Sequence, residues 1–286
     1  MADSLTKPLA KSTGSRINRS EALQRARLAL NSDRPQDAER IANEILKNDP
    51  RDAQALHIRG CILLIQMRAT EAIAPLEAAA LILRDPETDT LLAIALREAG
   101  RRDEALARLR RAIKRRPPYA PAFRELGFLL MVLERYDEAI EALRRGLEVA
   151  PMMPQLSTQL GEVFLRHRNY AQAKSAFART LEISPASSDA LFGMAKTLQS
   201  LGEYSSAVDY YRRCLRATPE DAATWLGLGH CLLGLGELEA GYDCFRTAAR
   251  GDAKRYGRAM TSLAASGRGR LWLKPSVATR FFSSKR

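Results

Sequence analysis

The sequence predicts an all-α protein, a right-handed α-solenoid of stacked antiparallel helix pairs, and three observations carry that prediction. Several independent residue series recur with a period of 34 residues. Within each period the apolar residues fall at spacings of three and four, one face of a helix. From the third unit to the sixth the period then ends at a proline, which a helix interior does not tolerate. A period of this length is the mark of stacked repeats.

The period is read from particular residues. Pro117, Pro151, Pro185 and Pro219 lie 34 apart, as do Ala105, Ala139, Ala173 and Ala207. Small residues keep the same step at Gly127, Gly161, Ala195 and Gly229, and so do Tyr136, Tyr170 and Tyr204. Upstream, Ala38 and Ala72 are 34 apart, but Ala72 and Ala105 only 33, so one residue is missing between the second and third units. The second unit also carries Pro75 inside its second helix, where a backbone hydrogen bond is weakened.

One unit shows the physical logic. Trp225, Leu228, Gly229 and Leu232 share a helical face, Gly234-Leu235-Gly236 breaks the helix, and Gly241, Phe245 and Ala248 resume helical spacing. Small residues sit where two helix backbones approach, and large ones fill the space beside them. A single hairpin cannot hide its apolar face; stacked neighbours can.

These residues resemble the tetratricopeptide repeat, W-x2-L-G-x2-Y followed by A-x3-F and P. The seventh unit reads Trp225-x2-Leu228-Gly229-x2-Leu232 and Gly241-x3-Phe245. The fifth reads Leu160-Gly161-x2-Phe164, Ala173-x3-Phe177 and Pro185, and the sixth Met194-Ala195-x2-Leu198, Ala207-x3-Tyr211 and Pro219. The expected organisation is a disordered basic lead-in over 1–19, seven repeats over 20–252, a capping helix over 253–266 and a basic, aromatic tail over 267–286. The first repeat is degenerate, anchored by Ala26, Ala38, Ala42 and Pro50.

The resemblance implies a concave face lined by the first helix of each pair, and a protein–protein interaction scaffold that holds a peptide or helix of a partner there. The binding candidates are the first-helix positions that the packing signature leaves over. They are Arg124, Phe128 and Met131 in the fourth unit, Glu162 and Leu165 in the fifth, Phe192 and Lys196 in the sixth, and Leu226 and His230 in the seventh. Packing of Phe128, Phe192 and Leu226 against neighbouring repeats is the competing reading. Family members that clamp acidic chaperone tails use a Lys–Asn pair on these helices. The matching positions here are His57, Thr90, Arg124, Thr158, Phe192 and Leu226, then Cys61, Ile94, Phe128, Glu162, Lys196 and His230, without that pair.

Charge sits at the ends. The net charge is +12, of which Arg246–Arg286 carries +10 and Met1–Ser20 carries +3, leaving −1 for the body. Excess confined to the ends makes nucleic acid a secondary partner class. The tail's Trp272, Phe281 and Phe282 among cations suggest docking, folding back or contact with an anionic membrane surface. Within the body, Arg108, Arg111 and Arg115 share a helical face, read as solvated or as a seat for an acidic partner. The four cysteines form no C-x-x-C pair, as expected of buried thiols in a reducing, cytoplasmic setting. No apolar run reaches the roughly 18 residues that mark a membrane helix. No P-loop, G-x-S-x-G elbow or H-E-x-x-H motif occurs. No catalytic group, metal site or cofactor is expected.

Overall fold

The computed structural model describes residues 18–250, 255, 257–259 and 261–262. Among these, fourteen helices follow one another in seven pairs. The chain divides into two compact units, Met1–Pro117 and Pro118–Arg286.

The first unit holds three pairs: α1 (Arg19–Asn31) with α2 (Pro35–Asn48), α3 (Ala53–Ile65) with α4 (Ala69–Leu83), and α5 (Pro86–Glu98) with α6 (Arg102–Ala112). The second holds four: α7 (Ala120–Val132) with α8 (Tyr136–Val149), α9 (Pro154–Arg166) with α10 (Tyr170–Ile183), α11 (Ser188–Leu201) with α12 (Tyr204–Ala217), and α13 (Ala222–Leu235) with α14 (Leu238–Ala249). Inside each unit every helix packs on the next. The first helices of successive pairs also touch, as in α7 with α9, α9 with α11 and α11 with α13. The second helices make no comparable contact among the described residues. Each unit is therefore tighter on its first-helix side, and that side forms the inner face of its curve.

The turn inside every pair is the same device. A left-handed residue recurs at Asp33, Met67, Gly100, Glu134, Arg168, Gly202 and Gly236. The residue after it returns its amide to a carbonyl five positions back, as in Arg68 N to Leu63 O at 2.8 Å and Asn169 N to Phe164 O at 2.8 Å. This is the Schellman closure, which satisfies carbonyls that the ending helix leaves bare. Only three of the seven are glycines. The residue missing between the second and third units falls in the α4–α5 link, where left-handed Arg84 shortens the connection. Five of the seven first helices start on side-chain caps: Asn18, Asp52, Asp85, Ser187 and Asp221 accept amide hydrogens of their first turns, whereas α7 and α9 have no such cap.

Packing follows one rule. A large side chain of the second helix presses on a small residue of the first, sixteen positions earlier: Leu76 on Gly60, Leu143 on Gly127, Phe177 on Gly161 and Phe245 on Gly229. The same ring reaches the following pair, Phe177 on Gly193 and Tyr211 on Gly227. Burial of these side chains supplies the apolar free energy that holds each pair to its neighbours.

At the C-terminal end the described residues from 255 to 262 are helical. Ala259 is fully buried, and Ser262 Oγ lies 2.5 Å from His230 Nε2.

Candidate functional site

The inner face of the second unit opens into a pocket of about 570 Å³ between α9 and α11. Glu162 and Leu165 of α9 and Phe192 and Lys196 of α11 line it, so four residues singled out by spacing converge. They converge because Glu162 and Leu165 stand three apart, and Phe192 and Lys196 four apart, on helices that touch directly. Phe177 and Gly193 lie at its base, and Phe177 is fully buried there. Lys196 Nζ rides 5.6 Å from the centre of the Phe192 ring, a cation–π approach. The Phe192 ring in turn meets Tyr211 edge-on at 6.0 Å.

The pocket's rim was not singled out from sequence: Arg166, Arg168, Tyr170, Asp189 and Ser200. Asp189 and Ser200 extend the Phe192–Lys196 stripe by one turn each way, a signal the spacing contains. Tyr170 belongs to the recurring series with Tyr136 and Tyr204, which does not mark it as a trough residue. Arg168 is the left-handed turn residue of its pair, which no local sequence rule marks. The carboxyl of Glu162 keeps solvent access, yet it titrates above the usual carboxylate value. Desolvation by the surrounding wall is the main cause and Asp189 adds to it, while Arg166 and Lys196 pull the other way.

The remaining predicted residues are not gathered at this pocket. Arg124 is half-buried and pairs with Glu125 at 2.6 Å. Phe128 is half-buried on α7. Met131 is only 4% exposed, so a place on an accessible face is corrected to a place in the core. Its spacing from Phe128 suits either face edge, and three residues turn a helix by about 300°, enough to carry a side chain inward. Leu226 packs on Leu233, Tyr242 and Phe245. His230 meets Phe245 edge-on at 5.2 Å, and its Nε2 is hydrogen-bonded to Ser262 Oγ. Trp272, Phe281 and Phe282 lie outside the described residues.

The basic stripe is not simply solvated. Arg108, Arg111 and Arg115 converge on Asp89 at 3.6, 3.5 and 3.2 Å, and the Asp89 side chain is fully buried beneath them. The four cysteines are free. Burial pushes the thiols of Cys61, Cys231 and Cys244 up to about 12 and that of Cys214 to about 11, which keeps them protonated and unreactive. His57 Nδ1 lies 2.8 Å from Thr88 Oγ1, whose hydroxyl donates to the capping Asp85 at 2.7 Å. Thr88 is fully buried, so this chain of polar groups holds the start of α5 and offers no reachable nucleophile. No group of three metal-ligating side chains occurs among the described residues.

Burial lowers the proton affinity of His57 and His230, against the pull of Glu87 and Asp85 on His57. The unfolded chain therefore binds protons that the folded chain refuses. The stability this confers is present above the ordinary imidazole value of about 6.5 and is lost as pH falls below it. Denaturant midpoints should drop between pH 7.5 and 5.5, and the drop should shrink in His57→Gln/His230→Gln protein. An equal drop in both proteins would contradict this account.

Seven like helix pairs, three in the first unit and four in the second, define a helical-repeat protein. The chain belongs to the tetratricopeptide repeat family: models of that repeat match residues 23–87, 96–158, 158–222 and 192–256. Proteins of this family are typically protein–protein interaction scaffolds and generally lack enzymatic activity. Solved structures with the same fold include PilF of Pseudomonas aeruginosa, at 18% identity and a TM-score of 0.63 over 78% of this chain and 96% of that one. The MamA protein gives 18% identity and a TM-score of 0.52 over 66% of this chain and 98% of its own. Cut9–Hcn1, from the APC/C, gives 15% identity and 0.66 over 86% of this chain, but only 52% of that longer one. No curated protein sequence matches the chain. No helix among the described residues is long and apolar enough to cross a membrane.

Proposed function

We propose that the protein is an adaptor that captures a peptide or helical segment of a partner protein in the α9–α11 trough. The observation that carries this reading is the convergence of Glu162, Leu165, Phe192 and Lys196 on one open pocket of about 570 Å³. An apolar anchor suits the side of Phe192 and Leu165. Lys196 and Glu162, of opposite sign on facing helices, fix the orientation of the segment. Interfaces of this kind draw most of their affinity from one or two anchored side chains at the centre, with polar groups around them setting register.

The test is affinity capture of partners from the native extract, with wild type compared against Phe192→Ala and Lys196→Glu. Each change should reduce recovery of the specific partners by about tenfold or more. Far-ultraviolet circular dichroism should stay unchanged, since Lys196 is exposed and Phe192 half-buried. Undiminished recovery with both variants, and with Phe128→Ala, would remove the trough from consideration.

A further inference from the structure

Among the described residues, the second helices differ in what they turn outward. On α8 the outward positions are Glu141, Arg144, Arg145 and Glu148, all exposed. On α4 the sequence ATEAIAPLEAAALIL carries only Glu71 and Glu77 as charges. Its last turn presents Leu81 and Ile82 at 71% and 58% exposure. An apolar furrow of about 580 Å³ runs beside them, lined by Leu56 and Leu63 of α3 and by Pro75 and Ala78 of α4. Leu56 and Leu63 lie on a different face of α3 from His57 and Cys61, so the furrow is not part of that helix's inner face. Pro75, inside α4, contributes no backbone N–H to the helix.

The furrow ends in a basic pocket. Leu81 is shared with a second cavity of about 500 Å³, whose other walls are Arg84, Arg111, Lys114 and Arg115. Arg51 and Arg59 also line the furrow. Little negative charge faces this array. Glu71 is held by Arg68 at 2.6 Å, and Asp89, which three arginines share, has no exposed side-chain surface. One carboxylate against three guanidiniums leaves excess positive charge at the pocket.

We propose that the outer face of α4 is a second docking surface, and that its occupant is an acidic amphipathic segment of a partner protein. Apolar side chains of the segment lie against Leu81, Ile82 and the half-buried Leu56. Carboxylates that follow them face Arg84, Arg111 and Lys114. Charge selects this occupant. The chain's own C-terminal portion, Arg246–Arg286, carries +10 and is repelled by the same field. The surface is separate in sequence and in unit from the α9–α11 trough, so the two sites are independently testable.

The probe is a short fluorescein-labelled peptide with a Leu-Leu pair followed by a run of glutamates, titrated with the full chain and read by fluorescence anisotropy. Binding should be saturable and should weaken as salt rises. Leu81→Ser/Ile82→Ser and Arg84→Glu/Lys114→Glu should each weaken it by about tenfold or more, while Phe192→Ala leaves it unchanged. These side chains are exposed, and circular dichroism confirms that the variants keep their helices. A matched peptide with lysines for glutamates should not bind. Absence of binding, equal binding of the lysine peptide, or indifference to both double substitutions would overturn the proposal. So would sedimentation showing that Leu81→Ser/Ile82→Ser dissociates a dimer, because the occupant would then be a second copy.

Discussion

Phe177→Ala is expected to destabilise the second unit by about 3–5 kcal/mol, among the largest losses any single truncation here should cause. The reason is the position of the ring. Its atoms lie where a Cβ on either Gly161 or Gly193 would have to go, within 3 Å in both cases. The ring is thus wedged between the first helix of its own pair and the first helix of the next. Removing it opens a void at the joint between α9–α10 and α11–α12 and loosens both. In a repeat array such a loss falls mainly on nearest neighbours. Hydrogen exchange should therefore quicken in α9 to α12 and stay unchanged in α1 to α4. The substitution also takes away the base of the trough, so capture of a partner should fall with stability. A loss below about 1 kcal/mol would mean that the neighbouring helices close over the gap, and the wedge account would fail.

The same wedge explains what the sequence alone makes legible. Alternating small and large residues at fixed offsets are a direct record of helix contacts, so the pairs, their order and the placement of Gly161 opposite Phe177 follow from spacing alone. The hairpin turns do not. Asp33, Met67, Glu134 and Arg168 hold left-handed backbones without being glycine, because the carbonyls they close upon select the conformation rather than the side chain. The trough was legible in part. Glu162, Leu165, Phe192 and Lys196 follow from asking which first-helix positions the packing leaves over. Met131 answers to the same rule and is buried, since the rule fixes a direction around the helix axis and not the depth of cover above it. Asp89 was invisible for another reason. A single acid twenty-odd residues before a basic run shows no periodic link to it, and only the fold brings it under Arg108, Arg111 and Arg115.

The other large effect is expected at Gly227. A Cβ there would lie within 3 Å of three atoms of the Tyr211 side chain. Tyr211 is 1% exposed, and its hydroxyl donates to Gln199 Oε1 at 2.7 Å. Neither the ring nor the helix can yield cheaply, so Gly227→Val should cost about 3 kcal/mol or more through overpacking. Gly202→Ala makes a useful contrast. Nothing stands within 4 Å of its Cβ, and its backbone is left-handed at φ +78°, so the cost is conformational strain alone, about 1–2 kcal/mol. If the collision with Tyr211 is the cause, shortening the partner should relieve it. Tyr211→Leu alone destabilises by opening space; in the Gly227→Ala background that space is partly refilled. The double-mutant cycle should then show a favourable coupling of at least about 1 kcal/mol. Because the Tyr211 ring also meets Phe192 edge-on, Gly227→Val should weaken partner capture at the trough even in the fraction of protein that stays folded. Additivity within about 0.5 kcal/mol would show that the ring and the glycine do not share the space assigned to them.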